Sequence, residues 1–169
     1  MVRGEFHRTP LANTEVEAET IEPTPLVPLS ATEHKPENPD LDIRGYLMYA
    51  SDGQVMGRVE DILLEADRRT ADRGSPLYHM EYAVVRYREA AGTQQWLLVP
   101  MAVIKETHHQ KRRVVVRDPS PQACQQALAF VAPYDLHPEE ERAIYAFWEI
   151  EPRWARSGRS PIREAERRR

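Results

Sequence analysis

The residues able to do chemistry in this chain are few and mostly set apart. His79 and Glu81 lie two apart in LYHMEYAVVRY, which on a strand puts both on one face, as an acid/base pair or as a solvated pair. His108 and His109 are adjacent in KETHHQKRR. Neighbours in a turn diverge, so this stretch reads as a solvated hairpin tip rather than a metal site. Ser51, Ser75 and Ser120 fall in turns without the glycine setting of a strained nucleophile turn, and Gly45, Gly53 and Gly57 are too scattered to cradle a phosphate. Cys124 is the single cysteine, so one chain can build neither a disulfide nor a thiolate metal site, and its place in QACQQALAFVA reads as a small buried hydrophobe. No catalytic, cofactor-binding or metal-ligating residue is expected, and enzyme is the least favoured class.

Charge is unevenly spread over the 169 residues. Residues 1–40 hold Arg3, Arg8 and Lys35 against eight acids, while residues 150–169 hold seven arginines against three glutamates. The basic tail, taken as residues 152–169, can meet phosphate, anionic lipid or an acidic protein, or stay solvated. Lys111-Arg112-Arg113 adds a second basic cluster, but a pI near 5.9 argues against a nucleic-acid binder. No apolar stretch reaches signal-peptide length or the roughly 18 residues needed to cross a bilayer, so a soluble, cytoplasmic chain is expected.

Three stretches must position these residues. Residues 1–40 carry six of the 14 prolines and no periodicity, and read as an extended arm that cannot form its own core. Along it Leu11, Val16, Ile21, Leu26, Val27 and Leu29 recur at a spacing suited to shallow pockets on a partner, with prolines at 23, 25 and 28 limiting its freedom. Residues 41–118 read as a β domain. Tyr46 to Ala50 and Gln54 to Ala66 flank Ser51-Asp52-Gly53, a strong hairpin signal; Leu77 to Tyr87, Trp96 to Val99, AVIKET and RVVVR follow as further strands. VEDILLEAD also suits the first turns of a helix, but the polar turn after it favours a strand. Pro100 cannot donate to a ladder, so WLLVPMAVIKE reads as two strands meeting at a corner, with Trp96, Leu98, Val103, Val114 and Val116 facing the core. Residues 119–151 read as two short helices. One starts at Ser120-Pro121 and presents Cys124, Leu128 and Val131; the other starts at His137-Pro138 with three glutamates in its first turn and stops before Pro152.

GYLMYASDGQVMGRVEDILLEAD, followed by YAVVRY and WLLVPMAVIKE, resembles the PRC-barrel family, named for the cytoplasmic barrel of the photosynthetic reaction-centre H subunit. The matching positions are Asp52-Gly53, Gly57, Asp61 and Val99-Pro100, within residues 43–117. LLVPMAVIK is similar to that subunit's leucine-proline-methionine corner, and PEEERAIYAFWE to its later helix. The H subunit's membrane-spanning helix has no counterpart here. The resemblance implies a small antiparallel barrel with a long N-terminal arm and two C-terminal helices. It implies a non-catalytic peripheral subunit on the cytoplasmic face of a photosynthetic membrane, stabilising a reaction-centre complex. Partners would be the reaction-centre core and H-type subunits, with antenna polypeptides as further candidates and the membrane surface met indirectly. It would hold no cofactor of its own; bacteriochlorophyll and quinone would belong to the partners. The alternatives are a stand-alone PRC-barrel adaptor of another assembly and a ribosome-maturation-type RNA- or ribosome-binding protein.

Overall fold

Val55–Ala66 (β3) is the strand on which the sheet is assembled, in a computed structural model that describes residues 24–67, 70, 77–88, 92–117, 123, 129–130 and 134–156. Leu47–Tyr49 (β2) pairs antiparallel with the first part of β3 across the Asp52-Gly53 turn. In that turn Asp52 Oδ1 accepts the Gln54 amide at 3.0 Å and Gly53 has φ +85°. A left-handed φ is open to glycine without the Cβ clash other residues meet. Tyr78–Arg88 (β4) runs antiparallel along nearly all of β3. At Gly57, φ +154°, a Cβ would lie 2.4 Å from the Arg86 carbonyl oxygen, so the two backbones approach too closely there for any side chain.

Gln94–Pro100 (β5) pairs with β4, and the chain then turns through a 3-10 segment, Met101–Val103, into Ile104–His108 (β6). Pro100 is thus the expected corner between two strands. Arg113–Val116 (β7) pairs antiparallel with β6 and parallel with β2, the one parallel contact in the described sheet. The strand order is β6-β7-β2-β3-β4-β5-β8, where β8 is Ala129–Phe130. No pairing among the described residues joins β6 to β8, so the mainly antiparallel sheet is open.

The remaining strand lies where the arm was expected. Leu26–Pro28 (β1) pairs antiparallel with Leu63–Glu65, sharing with β2 one edge of β3. Leu29, in the 3-10 turn Leu29–Ala31, is only 2% exposed. Leu26, Val27 and Leu29 therefore lie on this chain's own sheet, and the boundary at residue 40 cuts through one folded unit. The physical reason is the long β3: once β2 ends, half of its edge still offers unpaired backbone groups, and a proline-containing strand of three residues suffices to meet them. Leu11, Val16 and Ile21 lie outside the described residues.

Among the described residues two helices follow the strands. Pro138–Trp148 (α1) starts as expected, with Pro138 in the first turn and the His137 amide donating to Glu140 Oε2 at 2.8 Å. Its inward face is Glu141, Ile144, Tyr145 and Trp148. It stops at Glu149, φ +53°. Arg153–Arg156 (α2) is a single turn. The helix expected from Ser120 through Val131 does not run its full length: Ala123 is helical, but Ala129 and Phe130 pair with Leu97 and Trp96. The free edge of β5 decides this locally, because its unpaired backbone groups can be met by a strand laid along it and not by a helix. Ser120, Cys124, Leu128 and Val131 lie outside the described residues, as does Ser75. No described helix is long and apolar enough to cross a membrane.

Candidate functional site

The acid singled out in the second strand has a definite place. A bulge in β3 between Val59 and Asp61 inserts one extra residue, which leaves Asp61 2% exposed in the sheet rather than on the solvent side. Its carboxylate accepts the Ser30 amide at 3.1 Å, the Ser30 hydroxyl, the Ile62 amide at 2.8 Å and the Tyr134 hydroxyl at 3.4 Å. Asp61 thus ties the segment after β1 and the stretch before α1 to the middle of β3. Burial, with the negative charges of Asp61 and Glu60, pushes the Tyr134 hydroxyl up to about 12.

A second polar cluster was not foreseen from the sequence. Arg153, expected at the start of a solvated basic tail, is 4% exposed beneath α1. Its Nε donates to Glu141 Oε1 at 2.5 Å, its Nη2 to Glu141 Oε2 at 3.1 Å and its Nη1 to Glu65 Oε1 at 2.7 Å. Glu141 Oε1 also accepts the Tyr82 hydroxyl at 2.8 Å and the Tyr145 hydroxyl at 3.3 Å. Burial alone would lower the Arg153 pKa, but the hydrogen bond to Glu141 and the charges of Glu141 and Glu65 outweigh it and hold the value above normal. Burial raises both tyrosines well above their ordinary value, reinforced for Tyr82 by its neighbours Tyr145 and Glu141. One signal was available: Glu141 falls on the same helical face as Ile144 and Tyr145, and an acid on an apolar face needs a cation or donors.

Clefts occur among the described residues beside the Arg153 cluster and, away from both clusters, on the other flank of the sheet. The first, about 280 Å³, lies between β1, the start of α1 and Arg153, with Leu63 and Tyr134 in its wall. The second, about 250 Å³, lies on the outer side of β2, β7 and β6 and is lined by Tyr49, the turn at Ser51 and Gly53, Lys105, Glu106, Arg113 and Val115.

The other candidate residues are not brought together for catalysis. His79 faces Asp67 at 3.7 Å, while Glu81 is nearly buried, so the pair does not form a dyad open to substrate. His108 Nε2 meets Glu106 at 3.0 Å, and His109 Nδ1 meets the Tyr46 hydroxyl at 3.1 Å, so the adjacent rings do diverge. No group of three metal-ligating side chains occurs among the described residues. Both oxygens of Glu141 and both of Asp61 already accept protein donors, which suits them to holding elements in place rather than to exchanging protons with a substrate. Of the signature positions, Asp52-Gly53 makes a turn, Gly57 a close backbone approach, Asp61 a tie and Val99-Pro100 a corner. No protein-family model matches this chain, and no curated protein matches it.

Proposed function

We propose that the chain is a non-catalytic docking subunit of PRC-barrel type, held on the cytoplasmic face of a photosynthetic reaction-centre complex and adding stability to it. The observation that carries the docking part is that both oxygens of the buried Asp61 and of the buried Glu141 accept donors from the chain itself. The polar groups that chemistry would use are engaged in fixing β1, β3, β4 and α1 to one another. A body fixed in this way suits recognition by its surface, where ordering costs on binding are small.

The reaction-centre part rests on the resemblance of residues 43–117, and on the Pro100 corner and the acidic start of α1 in particular. On this reading the sheet is a PRC-type barrel, the reaction-centre core and H-type subunits are the neighbours, and pigments and quinone stay with them.

Membrane fractionation of photosynthetically grown cells tests the proposal. The tagged chain is expected to sediment with pigmented membranes, to leave them in chaotrope, and to co-purify with reaction-centre polypeptides after mild detergent. Recovery only in the soluble fraction would sink the reaction-centre reading. Recovery with ribosomal particles would replace it by the maturation-factor alternative.

A further inference from the structure

The outer side of β2, β7 and β6 differs from the rest of the sheet. In β7, Val114 and Val116 are buried, which leaves Arg113 and Val115 on the other face; the register places Leu47 and His108 beside Arg113, and Tyr49 and Glu106 beside Val115. A second bulge, between Ile104 and Glu106, makes Lys105 an extra residue, so Lys105 and Glu106 both line the same cleft although they are consecutive. Arg113 lies with its guanidinium 5.4 Å from the centre of the Tyr49 ring, and its Nε is buried without a hydrogen-bond partner among the described residues. Lys105 likewise has no carboxylate partner among the described residues. Glu106 is turned to His108 at 3.0 Å. Two cations therefore face one carboxylate that is already paired.

We infer that this cleft receives the carboxylate side chain of a partner polypeptide, held by Arg113 and Lys105, from a strand lying along the outer edge of β6. Three observations choose this occupant. The Arg113 guanidinium, 5.4 Å from the centre of the Tyr49 ring, offers a planar fork that matches a carboxylate. Glu106 in the same wall disfavours a doubly charged phosphate. β6 is the end strand of the described sheet, with Lys105, Glu106 and Thr107 exposed, and its unpaired backbone groups can be met in ladder fashion only by another polypeptide. The inference takes from the docking reading only that the chain serves as a binding subunit; it does not depend on which complex it joins.

Titration of the ¹⁵N-labelled full-length chain tests it, with an acetylated hexaglutamate peptide as probe and hexaglutamine as control. Hexaglutamate is expected to shift the Gly53 and Thr107 amides and the Arg113 Nε–H saturably, and hexaglutamine to leave them in place. Arg113→Gln and Lys105→Gln should each weaken the binding by roughly tenfold while the rest of the amide spectrum is unchanged. The Lys105 variant keeps the test sound if loss of the Arg113 contact with Tyr49 perturbs folding. Absence of a saturable shift with hexaglutamate would overturn the site. Equal shifts with inorganic phosphate, or with phosphatidylglycerol vesicles that compete with the peptide, would overturn the polypeptide as its source. Because the titration uses no membrane, it can fail while membrane co-purification succeeds, and the reverse.

Discussion

Where β3, β4 and β5 pass beneath α1 and the turn after β1, residues 61–64, 81–85 and 97–100 are buried without interruption; where β2, β7 and β6 form the other flank, burial alternates or is lost. Both flanks belong to one sheet, and Val and Leu occur in both. The difference is the cover. A strand closed in on both faces reads as a continuous apolar run, and a strand with one open face reads as alternation. The covered flank owes its cover to polar ties, Asp61 to Ser30 and Tyr134, and Glu141 to Arg153 and Tyr82, and not to apolar contact alone.

Removing the cover should break the contrast most severely. Deleting residues 1–40 takes away β1, Leu29 and the Ser30 donors, so lost burial of Leu29 and an under-satisfied Asp61 together should lower stability by about 3–6 kcal/mol in denaturant unfolding. A melting temperature unchanged by the deletion would restore the independent arm that the sequence suggests. Arg153→Met is expected to cost about 3–5 kcal/mol, because Glu141 and Glu65 would stay behind without their cation.

The same cluster sets the behaviour at high pH. Tyr82 and Tyr145 have raised pKa values in the folded chain, so their contribution is fully present below the unfolded value near 10 and is lost as pH rises from there towards the folded values. Absorbance near 295 nm should show these two of the seven tyrosines ionising only as the chain unfolds. Their titration in the folded state, near 10, would mean that the cluster is open to water.

A matched pair sharpens the comparison further. Leu98→Ala, in the covered flank, should cost about 2–5 kcal/mol. Val115→Ala, on the open face of β7, should stay within about 0.5 kcal/mol. Equal losses would show that the outer face is covered too.

Most of the strand positions were legible in the sequence because Asp52-Gly53, Pro100 and the polar turn at 109–112 punctuate them chemically. Leu98, Val103, Val114 and Val116 are buried as expected, whereas Trp96 is half-buried, its Nε1 donating to Glu60 at 2.5 Å. What escaped the reading was non-local. Nothing between residues 24 and 31 announces that β3 outruns β2 and leaves an edge for β1. Nothing around Phe130 announces the free edge of β5. Arg153 looked like one arginine among seven because Glu65 lies 88 residues away on β3 and Glu141, 12 residues away on α1, is separated from it by the break at Pro152.

The parallel contact between β2 and β7 also bears on the order in which the molecule assembles. Leu47 meets Arg113 only after the whole intervening chain has been laid down, and closing a loop of about 65 residues costs on the order of 4 kcal/mol in chain entropy. The β3–β4 and β6–β7 pairs need far shorter closures, so they can form early and wait. The pairing of β2 with β7 should then be the last to gain amide protection in pulsed hydrogen exchange during refolding. The Tyr49–Arg113 contact straddles that junction. A nascent or misassembled chain therefore lacks the cationic cleft, so the recognition proposed for that cleft would double as a check that folding is complete.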